Sequence, residues 1–512
     1  MAYLIEIDAY PLPSGPAKTL RFSSGAGMRT RATDTPPLVH FSPNLSQPWL
    51  IRRDLFDKAT TYGAIKSAKG QITLVNADGS LDGLLDMALD GREARAYVGT
   101  EGAPWPAGWV CVGRGIIETV QVSSNNIVLS LRDRLDALDQ PLLTTIYAGN
   151  NVLPGGVEGV ATDMGGKQKP RIYGTVLNLS PYLVNTAIAV YQLSDRLCSV
   201  SAVYDRGVAL TLGATYPDVA TMLSASPAPS TYNVCATATG TYIRLGSAPA
   251  GTVTADASTA ETRTASLIQQ IALDAGFTLA DLATADVAAL NAANPAPVGA
   301  WVEGTRTALD VINELASSIG AYVSFDNSNK LRMARLEAPA GQPVLTVQPA
   351  RVVSLSLIST ADGDKGIPPW QVVLGWGKCY SVQSDLTGNV PAGRKAQVCN
   401  AYRTVTAQDA AVRAVRKLAP TMGTTDSPIQ TALAQQADAQ AEANRRLALY
   451  KVGRRMFTVK VRLEPAQLPL IDLGVCINLV YPRYGLQAGK LLRVVGIEAN
   501  AEIGQITMRL WG

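Results

Sequence analysis

A chain of 512 residues with 47% hydrophobic side chains has room for three or four domains, at roughly 100–200 residues each, and can bury a core in every one. Charged residues make up only 17%, and 45 basic against 41 acidic side chains leave a net charge of +4, which excludes a dedicated nucleic-acid binder with its excess of basic residues. So little charge fits faces covered by neighbours better than a free monomer.

The first stretch, Met1-Ala2-Tyr3-Leu4-Ile5-Glu6-Ile7-Asp8, alternates like a strand and lacks the basic start and apolar core of a signal peptide. No run reaches the roughly 18 apolar residues that span a bilayer. The expectation is a chain made in the cytoplasm with no stable membrane insertion. Residues 1–150 read as mostly β. Gly70-Gln71-Ile72-Thr73-Leu74-Val75-Asn76 is a strand closed by Ala77-Asp78-Gly79, where Asp-Gly supplies the positive φ of the turn. Leu81–Leu89 reads as a short helix, and Arg92–Gly99 and Trp109–Val122 as strands.

Residues 151–262 change texture. Gly155-Gly156 and Gly165-Gly166 punctuate a loop leading to Pro170-Arg171-Ile172-Tyr173-Gly174. Strands such as Ala187–Leu193 and Tyr242-Ile243-Arg244-Leu245 then suggest a small β domain with long loops, where binding residues tend to sit. Residues 263–345 are α+β. Thr264–Gly276 is one helix. In a second, Thr307 caps an apolar stripe of Leu309, Ile312, Leu315 and Ile319 that Gly320 ends. Ala321–Phe325 and Leu331–Leu336 flank Asp326-Asn327-Ser328-Asn329 as a hairpin. Residues 346–512 contain a long helix over Gln435–Tyr450, built of good helix formers, and an alternating strand over Phe457–Leu463. The end of the chain, Trp511-Gly512, reads as tied down in a strand.

The end of the chain echoes its beginning. Gly115-Ile116-Ile117-Glu118 is followed by Ile127-Val128-Leu129-Ser130-Leu131-Arg132, and Gly496-Ile497-Glu498 by Ile506-Thr507-Met508-Arg509-Leu510. Each is a strand, a polar hairpin and an alternating strand. Duplication and coincidence both account for this, because a period of two is common to every half-buried strand. If it is duplication, a trimer carries six similar units.

No chemical centre emerges. Gly165-Gly166-Lys167 fails as a phosphate loop, because positions 161 and 168 hold Ala161 and Gln168. No G-x-S-x-G elbow occurs. Asp362-Gly363-Asp364-Lys365-Gly366 is too short for a calcium loop and reads as a turn. The single histidine, His40 in Leu38-Val39-His40-Phe41, excludes zinc sites built on two or three imidazoles. It reads as a half-exposed strand residue rather than a catalytic base. None of Cys111, Cys198, Cys235, Cys379, Cys399 and Cys476 forms C-x-x-C. Reduced thiols are the default, with a Cys379–Cys399 bridge or an iron–sulfur cluster as the alternatives. Arg483 within Tyr481–Leu486 reads as part of a packed turn rather than an exposed recognition arginine. Catalytic, cofactor-binding and metal-ligating residues are therefore all assigned as none, and the chain reads as structural rather than enzymatic.

The segments Gly70–Asp82, Gly149–Gly156, Lys169–Gly174, Ala441–Leu447 and Tyr481–Leu486 with Gly489-Lys490 resemble the tail-tip or baseplate hub proteins of long-tailed bacteriophages. The resemblance covers most of the chain. It implies a mainly β fold with α+β parts, in which two tail-tube-like β-barrel domains flank a β domain and an α+β domain. Their bounds are 1–150, 151–262, 263–345 and 346–512. It implies a homotrimer whose six tube-like domains continue a sixfold tail tube, line a DNA-ejection channel with a neutral or acidic wall, and pass DNA without specific binding. The implied partners are a distal tail protein, the tape measure, and a central fibre or receptor-binding protein. The implied location is the distal tip of the virion tail, after assembly in the host cytoplasm. Ending at Gly512 implies no lytic extension. The alternatives are a carbohydrate-binding adhesin using residues 175–262 and, from the unassigned carboxylates, a cell-wall-degrading enzyme.

Overall fold

The computed structural model describes residues 2–56, 60–65, 68–360, 366–500 and 505–512. The turn expected at Asp362–Lys365 lies outside them. The architecture is mainly β, with several sheets and a helical body. Alternating sequence at both ends of the chain builds one open sheet of 14 strands. From the N-terminal part come β1 (Ala2–Pro11), β2 (Lys18–Ser23), β3 (Leu45–Asp54), β4 (Lys69–Val75), β5 (Glu93–Gly99), β6 (Trp109–Val122) and β7 (Asn126–Arg132). From the C-terminal part come β8 (Leu345–Val347), β9 (Val352–Ile358), β10 (Met456–Arg462), β11 (Cys476–Leu479), β12 (Lys490–Asn500) and β13 (Gln505–Trp511). The main path runs β2-β1-β5-β6-β7-β4-β3-β12-β13-β10-β9, and β11 and β8 branch from β12.

Each half has its own core on the apolar face of the pleat. Ile5, Ile7, Ile72, Leu74, Ala94, Val98, Ile127 and Leu129 are buried together in the first. Phe457, Val459, Val461, Ile477, Leu492, Val494, Met508 and Leu510 are buried together in the second. Expected as barrels, the two units are open sheets that continue into each other.

Between β4 and β5 the expected helix over Leu81–Leu89 is a 3-10 turn, Asp82–Asp86, followed by the short strand Met87–Ala88. Leu84 from that turn plugs the first core. The expected strand over Ala187–Leu193 begins later, at Val190, because Ala189 takes a left-handed φ of 49° in the turn before it.

Residues 171–258, with Gly299–Val302, form two five-stranded sheets. They enclose Ile172, Val176, Leu193, Val203, Val234, Ile243 and Trp301. The helical body contains α1 (Thr264–Asp274), α2 (Thr284–Ala293), α3 (Ala308–Ser318) and α4 (Gln436–Tyr450). Its core extends beyond residues 263–345. Leu135, Leu138, Leu142 and Leu143, assigned by sequence to the first segment, are buried in it, as are Val372, Leu374 and Trp376 from the last.

The cap at α3 is as expected. The Thr307 side chain accepts from the Asp310 backbone N–H at 3.1 Å, and Asp310 returns the bond to the Thr307 N–H. The stripe residues Leu309, Ile312, Leu315 and Ile319 are all buried. Thr307→Ala should cost about 1 kcal/mol in urea unfolding, because one helix-end N–H loses its acceptor.

Candidate assembly interface

The two β-units share one plan. In chain order, β3, β4, β5, β6 and β7 correspond to β9, β10, β11, β12 and β13, and the spatial orders β3-β4-β7-β6-β5 and β9-β10-β13-β12-β11 coincide. Both place a 3-10 turn between the second and third strands, Asp82–Asp86 in one and Pro465–Leu470 in the other. Two bulges match between the units, while the first unit has further slips between Gln47 and Leu50 and between Ala96 and Tyr97. The β6–β7 register slips between Ser130 and Leu131, passing over Glu118, and the β12–β13 register slips between Arg509 and Leu510, passing over Val495. The β3–β4 ladder slips between Leu45 and Gln47, and the β9–β10 ladder between Val352 and Ser354. A bulge re-aims a strand and adds twist, so two matching bulges in matching strands make the units alike in shape as well as order.

With the bulges aligned, Ile127–Leu131 corresponds to Ile506–Leu510, as the sequence echo has it. The upstream half of the echo is out of register. Gly496 pairs with Arg509 and therefore corresponds to Thr119, which pairs with Ser130, and not to Gly115.

The units meet strand edge to strand edge. β12 is long enough to serve two partners on one side. Lys490–Arg493 pairs with β11, and Gly496–Asn500 pairs antiparallel with β3, opposing Gly496 to Asp54, Ile497 to Arg53 and Glu498 to Arg52. A Cβ at Gly496 would stand 2.3 Å from an Asp54 carboxylate oxygen and 2.5 Å from Arg509 Nε, so the glycine leaves room for these two side-chain ends at the crossing. Asp54 accepts a hydrogen bond from Arg52 at 3.1 Å and forms an ion pair with Arg509. On the other face Arg53 spans to Asp472 at 3.0 Å and donates to the Phe325 carbonyl at 2.9 Å, tying the joint to the helical body.

The polar face of the joined sheet carries a row fixed by register: Arg132, Lys69, Arg52, Glu498, Thr507, Lys460 and Ser354. Many guanidinium groups on this face are already engaged. Arg95 holds Asp8 and Glu93 at 2.7 Å, Arg21 holds Glu6 at 2.9 Å, Arg114 holds Glu93 at 3.2 Å, and Arg132 bonds Glu118 and Asp136. The hydrogen bond from Arg132 holds the Glu118 carboxyl below its ordinary pKa. The row is nonetheless locally basic from Arg132 to Arg52.

Among the edge segments without a strand neighbour in the described residues, two lie on β6 and β9. On the β5 side of β6, pairing stops at Ile116, and Glu118, Thr119, Gln121 and Val122 are exposed. Beyond β9 there is no further strand, and Val353, Ser354, Ser356 and Leu357 are exposed.

The other candidate positions fall as follows. His40 is exposed on the short strand His40–Phe41. All six cysteines are free, so Cys379 and Cys399 are not bridged, and no metal-holding group of His, Cys, Asp or Glu occurs among the described residues. Tyr481 and Tyr484 lean on the second core, as the packed-turn reading has it, while Arg483 itself is exposed, 5.3 Å from the Tyr484 ring centre. No described helix is long and apolar enough to cross a membrane.

No family model and no curated protein sequence matches the chain. Among solved structures, it is similar over 100% of its length to the tail protein from Neisseria meningitidis MC58, covering 96% of that chain at 11% identity and a TM-score of 0.40. It is similar over 99% of its length to the 43 kDa tail protein of prophage MuSo2 from Shewanella oneidensis, covering 98% of that chain at 10% identity and a TM-score of 0.38. It is likewise similar over 99% to the prophage tail protein gp18 from Listeria monocytogenes EGD-e, covering 94% of that chain at 8% identity and a TM-score of 0.38.

Proposed function

We propose that this chain is a structural protein of a phage tail, and that three copies form a hub at the distal tip that continues a sixfold tube. The observation that carries this reading is the pair of like β-units joined edge to edge within one chain. The joint sets an edge of one unit against a different edge of the other. A head-to-tail contact of this kind generates a ring when its rotation closes and a filament when it does not. With two units per chain, a closed ring of six is a trimer.

The apolar faces of the joined sheet are occupied by the chain's own cores, so the polar face is the one available for a channel wall. A passing polyanion would then meet guanidinium groups already paired with carboxylates, which weakens its hold on them. The two five-stranded sheets around residues 171–258 stand apart from this wall and suit contacts with neighbouring tail proteins. The role is scaffolding, without catalysis.

In native mass spectrometry the purified full chain should appear at three times its 54.0 kDa mass. Negative-stain images should show six lobes around a central hole. Immunogold labelling of particles carrying this chain should mark the tail end away from the head. A chain that stays monomeric in assembled tails, or labelling along the whole tube, would overturn the reading.

A further inference from the structure

The internal joint has an unused counterpart. β3 pairs with the far half of β12, so by the strand equivalence β9 should pair with the far half of β6. Neither surface has a strand neighbour among the described residues, and neither can reach the other while the intramolecular joint is made along the same sheet. Carrying the register across gives specific partners. Opposite Gln71, Gly70 and Lys69 on β4 stand Leu50, Ile51 and Arg52. Opposite their equivalents Thr458, Phe457 and Met456 on β10 stand Ser356, Leu357 and Ile358. Within the chain, Ile51 faces Ala499 and Arg52 faces Glu498, and those two positions of β12 correspond to Val122 and Gln121 of β6.

We infer that β9 of one copy adds antiparallel to residues 119–122 of β6 in a second copy, setting Leu357 opposite Val122 and Ile358 opposite Gln121. This deepens the hub reading and rests on it for the number of copies.

Two further observations favour a second copy as the occupant. Leu357 is 46% exposed and Val122 is 44% exposed, so each leaves apolar surface that the other would cover. The β9 strand, Val-Val-Ser-Leu-Ser-Leu-Ile, has neither charge nor proline over its 7 residues. Edges that stay in water are usually blunted by such residues, and an uncharged, β-prone edge is what a paired strand retains. Access to β6 is open along its edge. The turn Pro465–Leu470 lies against β6, but Leu468 enters the first core, and Gln121 and Val122 remain exposed.

The test uses the full chain with Leu357→Cys and Val122→Cys together, oxidised mildly and run on a non-reducing gel. Directly opposed residues of an antiparallel pair lie about 5 Å apart at Cβ, so the double variant should give at least about tenfold more intermolecular disulfide than either single variant or the parent chain. Arg52→Cys with Glu498→Cys, at the matching intramolecular pair, should cross-link within one chain and shows that the variants fold and the oxidant works. Bands ending at three chains support the pairing and the hub together. Bands continuing past three support the pairing and overturn the closed hub. A trimer by native mass with no cross-link overturns the pairing and leaves the hub standing. Monomers without cross-links, beside a working internal control, overturn both.

Discussion

Glu442→Ala should lower the unfolding free energy by about 3–5 kcal/mol, because it leaves two arginines inside the helical body without their shared anion. Glu442 is buried on α4 and accepts from Arg445 Nε and Arg446 Nε, both at 2.7 Å. Those arginines do a second job. Arg446 Nη2 donates to the carbonyls of Ser317 and Ser318 at 2.6 and 3.1 Å, and Arg445 Nη2 to that of Ile319 at 3.4 Å. These carbonyls close α3, where the last turn of a helix has acceptors with no donor of its own. The carboxylate therefore aims two cations at a helix end, where positive charge is also favoured by the helix dipole. Loss of protection of α3 amides to hydrogen exchange, alongside a lower urea midpoint, is the expected signature. Glu442→Gln should fall between parent and alanine, since it keeps an acceptor but not the charge.

The same group sets a pH dependence. Burial alone would raise the Glu442 carboxyl, but the Arg446 charge and the Arg445 hydrogen bond outweigh it, and its pKa ends below the ordinary value. A carboxyl depressed by folding contributes fully above its unfolded pKa of about 4.3 and loses that contribution as pH falls through the folded value. The stability gap between parent and Glu442→Ala should therefore be constant near neutrality and shrink in acid.

Gly174→Ala should cost about 4 kcal/mol or more, among the larger effects open to one methyl group. Gly174 has a φ of +69°, and its Cβ would stand 2.0 Å from the Val298 carbonyl oxygen and 2.8 Å from Leu267 Cδ1. It faces Gly299 across the ladder, where a Cβ would meet the Thr175 carbonyl oxygen at 2.1 Å. The left-handed conformation alone costs an L-residue roughly 1–2 kcal/mol, and the backbone clash cannot be relieved by turning a side chain. The flanking residues anchor the same strand: Arg171 pairs with Asp195 at 2.6 Å, and Tyr173 Oη donates to Asp274 at 2.6 Å. Thermal unfolding of the purified variant checks it. A Tm close to that of the parent would mean that the two strands can separate without loss.

Local pattern made much of the fold readable. Thr307 with its apolar stripe, the Asp326–Asn329 hairpin, and the helix ending at Tyr450 depend on neighbours in sequence and on periods that side chains must keep. What escaped depends on distant contacts or on small residues. The helix Thr284–Ala293 is half alanine and presents few large side chains to mark a face. The burial of Leu135 and Leu138 in the helical body needs partners far along the chain. The repeat was visible only downstream of the hairpin, because the turn from Ala499 to its partner Ile506 is longer than the turn from Val122 to its partner Ile127, and this breaks the sequence spacing upstream. The joint between β3 and β12 leaves no mark in either strand, since edge pairing is made by backbone that every residue possesses.

Because that joint lies within one polypeptide, its two halves meet at a local concentration fixed by the tether and not by the number of molecules in solution. Dilution cannot separate them, and half of the contacts in a six-part assembly would need no encounter at all. The remaining contacts between molecules can then be individually feeble and reversible, which lets misplaced copies leave before the structure locks.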